Sequence, residues 1–111
     1  VDLPIHLHTH DTSGNGVAMY LMATEAGVDA IDCALSSMAG LTSQPSLNAV
    51  VTALQNHPRC PDLGVENLQT LSDHWELLRE LYYPFESGLK ASTTDSTSLS
   101  PIRPAASNWP P

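Results

Sequence analysis

The first part of the chain has the pattern of a strand, a polar loop and a helix. Residues 3–10 alternate and are rich in leucine, isoleucine, threonine and histidine, and residues 11–16 (DTSGNG) follow them. Such a run of turn residues is typical of the place where a strand delivers side chains to a loop. Residues 17–26 are apolar on most faces and stop before Gly27, which predicts a mostly buried helix with a glycine just past its end.

The same order of elements repeats once. Residues 30–35 form a short apolar run, residues 36–44 a loop of small residues, and Pro45 opens a predicted helix over residues 46–55. Two βα units in succession favour an α/β fold with a parallel sheet over a helix bundle or a β-sandwich. The pattern alone leaves a closed barrel and an open sheet as alternatives.

The rest of the chain divides into a long helix and a segment of different composition. Apolar positions at helical spacing predict a helix over residues 65–83 that Pro84 stops, with a short turn over residues 85–90. Residues 91–111 contain five serines, three threonines and four prolines among 21 residues, which predicts a disordered or aberrant tail. The expected division is therefore a folded part over residues 1–90 and a tail over residues 91–111. Methionines and aromatic residues at helical spacing are expected in the core or an interface: Met19, Tyr20, Met22 and Trp75.

Composition excludes several classes of partner. Twelve acidic residues against four basic ones give a net charge of −8, so neither nucleic acid nor an anionic membrane surface is expected to bind. No run approaches the roughly 18 apolar residues of a membrane span, and the start lacks the basic region of a signal peptide. Two cysteines without CxxC spacing suit a reducing, cytoplasmic location. Because the chain begins with Val1 and opens directly on a strand, we interpret it as a piece of a longer protein.

The strongest chemical signal is HLHTHD at residues 6–11. Residues two apart on a strand share a face, so His8 and His10 can present two imidazoles in one direction, an arrangement that suits zinc, manganese or a similar divalent ion. Alternatively, the histidines lie on a half-buried strand and are satisfied by loop oxygens. Asp11 could accept a hydrogen bond from a ligating histidine or cap the helix before Val17, and His6 is expected to pack inside.

Four segments together resemble one known family. They are HLHTHDTSGNG (residues 6–16), EAGVD (25–29), SSMAGLTSQPS (36–46) and FESGL (85–89). In unbroken order over residues 1–90, they are similar to the carboxyltransferase domain of pyruvate carboxylase, whereas residues 96–111 do not resemble the family. The resemblance implies the last part of a TIM (β/α)8 barrel: two βα units, followed by a C-terminal helix that begins a helical extension.

The resemblance also implies an activity and its site. Carboxybiotin on a separate carrier domain would give its carboxyl group to pyruvate, forming oxaloacetate, and His8 and His10 would bind the divalent metal, zinc or manganese, at the mouth of the barrel. The family's other metal ligands, an aspartate and a carbamylated lysine, would precede Val1, so no catalytic residue is expected within this chain and the chain alone is expected to be inactive. ATP would bind a separate biotin carboxylase domain of a homo-oligomeric enzyme.

Two other classes of function remain open at this point. One is a different metal-dependent lyase, synthase or oxaloacetate decarboxylase of the same superfamily, which shares a His-x-His pair. The other is a small metal-binding protein without enzymatic activity.

Overall fold

The computed structural model describes residues 2–86, which contain two short strands and three helices. In chain order these are β1 (His6–Leu7), α1 (Gly16–Ala26), β2 (Ala30–Ile31), α2 (Leu47–Ala53) and α3 (Val65–Glu80). Single 3-10 turns lie at Ser36–Met38 and Tyr83–Phe85. The expected tail over residues 91–111 lies outside the described residues.

The two strands pair in parallel, with α1 as the connection between them. His6 lies opposite Ala30 and Leu7 opposite Ile31. Past the end of β2, Ala34 forms an isolated parallel bridge with Ser46, just before α2, and its amide donates to the carbonyl of Pro45 at 3.0 Å. The predicted α/β class with parallel strands is therefore confirmed.

The helix ends follow local sequence chemistry. The amide of Gly27, in the left-handed conformation with φ 99°, donates to the last carbonyls of α1, which confirms the expected glycine after this helix. Ser46 caps α2 by accepting a hydrogen bond from the Ala49 amide at 3.3 Å. Helix α3 ends at Glu80, three residues before its predicted end, and Pro84 lies in the 3-10 turn that follows. Proline suits that turn because it has no amide hydrogen to donate.

The core lies between α1, α2 and the two strands. Tyr20, Val50 and Leu54 are its buried members, and partly buried side chains such as Leu7 and Ile31 pack against them. The helix at residues 17–26 was expected to be mostly buried, but only Gly16, Tyr20 and Thr24 of α1 are. This expectation is wrong for the described residues because neighbours cover α1 on one side only.

Several large apolar side chains of α1 and α3 are exposed. Met19 is 44% exposed, Met22 70% and Trp75 42%, so a core position is wrong for all three within residues 2–86. Their expected role in an interface stays a prediction. No helix in the described part of the chain is both long and apolar enough to cross a membrane.

Candidate metal centre

The imidazoles of His8 and His10 meet just beyond the end of β1. Their Nε2 atoms are 3.3 Å apart, and their ring planes are inclined at 73° with centroids separated by 5.1 Å. One intervening residue on an extended backbone brings both rings to the same side. The structure therefore places both predicted ligands together, with their Nε2 atoms in close approach.

Hydrogen bonds at the opposite nitrogen decide the tautomer of each ring. Nδ1 of His8 donates to Oδ2 of Asp32 at 2.7 Å, and Nδ1 of His10 donates to the carbonyl oxygen of Thr42 at 2.5 Å. A carbonyl and an ionised carboxylate can only accept, so each Nδ1 carries the proton and each Nε2 of a neutral ring carries a lone pair. Two lone pairs facing each other repel unless a cation lies between them.

The spacing of these nitrogens fits a divalent ion. Zinc bonds to imidazole nitrogen are about 2.0–2.1 Å long, so two tetrahedral ligands have nitrogens roughly 3.3–3.4 Å apart. The donor type also suits zinc and manganese. No group of three or more histidine, cysteine, aspartate or glutamate side chains within residues 2–86 could hold a metal. The described part of the chain therefore offers two candidate ligands, His8 and His10, and the groups that orient them.

Asp32 is a candidate site residue that the sequence analysis missed. Its Oδ1 accepts from Nε2 of His6 and its Oδ2 from Nδ1 of His8, both at 2.7 Å. The hydrogen bond from His8, followed by that from His6, holds the pKa of the Asp32 carboxyl below its usual value. Its signal in the sequence was a carboxylate inside the otherwise apolar run of residues 30–35, since parallel strands end at the same edge of a sheet.

His6 was expected to pack inside, and this expectation is wrong. Its side chain is 60% exposed and pairs with Asp32. The histidine face of β1 lies uncovered in the described structure, because the packed core lies against the opposite face at Leu7. His6 therefore supports the carboxylate that holds His8.

Asp11 takes the helix-end role that was one of its two expected alternatives. Its Oδ1 accepts a hydrogen bond from the Gly16 amide, the first of α1, at 2.8 Å. Its own amide donates to the carbonyl of Ser43 at 2.8 Å. The other alternative for Asp11 was to accept a hydrogen bond from one of the two predicted ligand histidines. In the structure, Asp32 takes that role.

The second loop contributes backbone groups to the centre. The carbonyl of Thr42 holds His10, and that of Ser37 accepts a hydrogen bond from Arg79 of α3 at 3.0 Å. Arg79 is itself paired with Glu86, which raises the pKa of the guanidinium. Helix α3 therefore anchors the loop whose backbone orients one of the two imidazoles.

Comparison with known proteins gives consistent relatives. The chain is 54% identical to the pyruvate carboxylase of Bacillus subtilis over 95 residues, which are 86% of this chain and 8% of that protein. It is 43% identical to the mitochondrial pyruvate carboxylase of Rattus norvegicus, covering 85% of the chain and 8% of that protein. The chain thus spans less than a tenth of the length of these relatives.

The solved structures agree in fold. The carboxyl transferase domain of Rhizobium etli pyruvate carboxylase with pyruvate superimposes with a TM-score of 0.83 at 46% identity, over 86% of this chain and 16% of that one. The same domain with pyruvate and biocytin gives a TM-score of 0.82 at 47% identity, over 85% and 16%. These findings confirm the resemblance inferred from the sequence. Since the HMGL-like family model also matches residues 1–74, the chain belongs to the HMGL-like family.

Proposed function

We propose that this chain forms part of a carboxyltransferase site that moves a carboxyl group from carboxybiotin to pyruvate and yields oxaloacetate. The observation that carries the proposal is the pair of Nε2 atoms of His8 and His10, 3.3 Å apart with both Nδ1 atoms bonded to acceptors. Identity of 54% to a pyruvate carboxylase supports the choice of reaction. Residues 2–86 would then be the last two βα units of a barrel and the start of its helical extension.

The residues of this chain hold and orient a metal in that proposal. His8 and His10 bind it as neutral imidazoles and leave its positive charge undiminished, while Asp32 and the Thr42 carbonyl keep both rings in the binding tautomer. Bound zinc or manganese would polarise the ketone of pyruvate and stabilise the negative charge that develops on its oxygen. Neither histidine acts as an acid or a base.

The remaining parts of the reaction would come from other segments. In the transfer, the bond between the biotin nitrogen and the carboxyl group breaks, a carbon–carbon bond forms at the pyruvate methyl carbon, and one methyl proton goes to the biotin nitrogen. We assign the biotin to a carrier domain and ATP to a separate biotin carboxylase domain of a homo-oligomer. A cytoplasmic location is also a proposal, and one relative is named as mitochondrial.

A second candidate is another metal-dependent lyase, synthase or oxaloacetate decarboxylase. The HMGL-like model over residues 1–74 favours it, because that description is broader than one reaction. The two candidates differ in substrate: a decarboxylase consumes oxaloacetate, whereas a carboxyltransferase forms it from pyruvate only when carboxybiotin is present.

The test is an assay of the full-length polypeptide that carries residues 2–86. With pyruvate and carboxybiotin we expect oxaloacetate to form, and with either compound alone we expect none. The 111 residues alone serve as a comparator and should form none. Absence of product from the metal-loaded full-length polypeptide would contradict the proposed reaction, and loss of oxaloacetate without pyruvate-dependent transfer would favour the decarboxylase.

A further inference from the structure

The hydroxyl of Tyr20 takes the place of one backbone hydrogen bond that is missing between the ends of β1 and β2. The Asp32 amide donates to the Leu7 carbonyl at 3.1 Å, which is the last direct bond between these strands. In this parallel register the next bond would run from the Thr9 amide to the Asp32 carbonyl. Instead, the Thr9 amide donates to the Tyr20 hydroxyl at 3.2 Å, and that hydroxyl donates to the Asp32 carbonyl at 2.6 Å.

The inserted hydroxyl separates the ends of β1 and β2 next to the residues that carry the two imidazoles and the carboxylate. A direct backbone hydrogen bond has a nitrogen–oxygen distance of about 2.9–3.0 Å. The path through the hydroxyl has two hydrogen bonds in place of one, so the backbones diverge around one oxygen atom. Thr9 lies between the two ligand histidines, and Asp32 carries the carboxylate that holds His8.

Tyr20 is anchored firmly enough to act as a spacer. Its side chain is fully buried at 0% exposure, in the cluster with Val50 and Leu54. Its ring is held by α1, and its hydroxyl both donates and accepts, so each strand end is satisfied by the same oxygen atom. Burial, the largest influence, raises the pKa of the phenol, which keeps the donating proton in place at neutral pH.

We infer that Tyr20 is a positioning residue for the metal centre: its hydroxyl, inserted between the ends of β1 and β2, sets the separation at which Asp32 reaches His8 and holds that imidazole beside His10. The inference rests on the proposed metal-binding function of the two histidines. It assigns to a core side chain a role that burial alone does not require, because phenylalanine would fill the same space.

The test compares Tyr20→Phe with Tyr83→Phe in the full-length polypeptide that carries residues 2–86. Tyr20→Phe loses the two hydrogen bonds of its hydroxyl, and the control loses one, from Tyr83 in the 3-10 turn to Glu76 of α3 at 3.1 Å. Titration with Co²⁺ should show a dissociation constant raised about 10- to 100-fold in Tyr20→Phe, with a changed visible absorption spectrum of the bound ion. Tyr83→Phe should match wild type, and a Tyr20→Phe protein that does so as well overturns the inference.

Further readouts separate this inference from the metal site itself. In the metal-free protein, the imidazole ¹⁵N shifts of His8 and His10 should change in Tyr20→Phe and not in Tyr83→Phe, and unchanged shifts overturn the spacer role. If His8→Ala binds Co²⁺ like wild type, the metal site fails and the metal-free shifts alone decide the role of Tyr20. If Tyr20→Phe does not fold, 3-fluorotyrosine at position 20 replaces it; its ¹⁹F resonance should move when Zn²⁺ is added, and a stationary resonance counts against the inference.

Discussion

Asp32 follows His8 by 24 residues in the chain, and its Oδ2 accepts a hydrogen bond from Nδ1 of that histidine at 2.7 Å. Its other oxygen is held by His6 at the same distance. A carboxylate bonded at both oxygens is restrained in rotation, so the imidazole of His8 is oriented by a group that is itself oriented. The parallel pairing of β1 with β2 makes this contact possible, because both residues leave their strands at the same edge.

Replacement of either ligand histidine should remove the metal. We expect His8→Ala and His10→Ala in the full-length polypeptide to lose bound zinc or manganese and carboxyl transfer together, each by about 100-fold or more, beyond the loss typical of residues that only support a ligand. His74→Ala, an exposed histidine on α3, is the matched control and should change neither. Elemental analysis of the purified variants measures this, and equal metal content in wild type and His8→Ala would refute the ligand assignment.

Asp32→Asn should weaken metal binding without abolishing it. The amide keeps one oxygen that can accept from His8, but the negative charge and the second acceptor for His6 are lost, so we expect affinity to fall by about 10- to 100-fold. The control is Asp73→Asn, since Asp73 accepts one side-chain hydrogen bond from Gln69, at 2.7 Å. Competition with a zinc indicator gives both constants, and a loss as large in Asp73→Asn would show that the effect is not specific to the site.

Gly16→Ala should destabilise the fold where the first loop enters α1. An added Cβ would overlap Pro45 and lie 2.8 Å from Oδ1 of Asp11. Overpacking of this kind costs about 1–3 kcal/mol, which denaturant unfolding can measure. Pro45→Ala provides the control: if the overlap is the cause, the cost of Gly16→Ala should shrink in the Pro45→Ala background, whereas additive effects would contradict it.

Cys33 should react slowly in the folded chain. Burial, with a smaller effect of the Asp32 charge, raises the pKa of its thiol from 9.0 to about 11. At pH 8 the thiolate fraction is then about 100-fold below that of an unperturbed thiol, and alkylation by iodoacetamide should slow accordingly. Peptide mass spectrometry at Cys33, with the urea-unfolded chain as reference, checks this; equal rates in both states would disprove it.

The same shift has a consequence for stability. Because the folded pKa lies above the unfolded one, the folded state holds the proton more tightly, and this contribution is complete below pH 9. It is lost as the pH rises from about 9 to about 11. We therefore expect the Tm of the wild type to fall more than that of Cys33→Ala over this interval, and parallel curves would exclude the thiol as the cause.

Local features of this fold could be predicted from the sequence because their causes are local. The glycine after α1 and the alternation of βα units depend on neighbours a few residues apart. The histidine pair is of the same kind, since one residue of extended backbone suffices to align His8 with His10. Helix α3 is shorter than its apolar pattern because that pattern continues through the turn at Tyr83–Phe85.

The supports of the centre depend on contacts that periodicity does not encode. Asp32 and Thr42 reach the histidines only because the strands pair in parallel and the second loop folds back. Asp11 suited either of two roles, and the observed hydrogen bond from the Gly16 amide to its Oδ1 distinguishes them. Met22 does not take the core alternative because an apolar face in the sequence does not say whether a neighbour covers it, and its interface alternative stays a prediction.

The parallel pairing of His6 with Ala30 also constrains how the centre can assemble. Closing the flexible loop of 24 residues from His6 to Ala30 costs roughly 3 kcal/mol of chain entropy, and the two-residue strands offer few hydrogen bonds in return. Packing of α1 against the strands through Tyr20 must therefore offset this cost, so the centre depends on the docking of that helix. A synthetic peptide of residues 6–16 would keep both imidazoles but lose the partners that set their tautomers, so the motif cannot be transplanted as a short peptide.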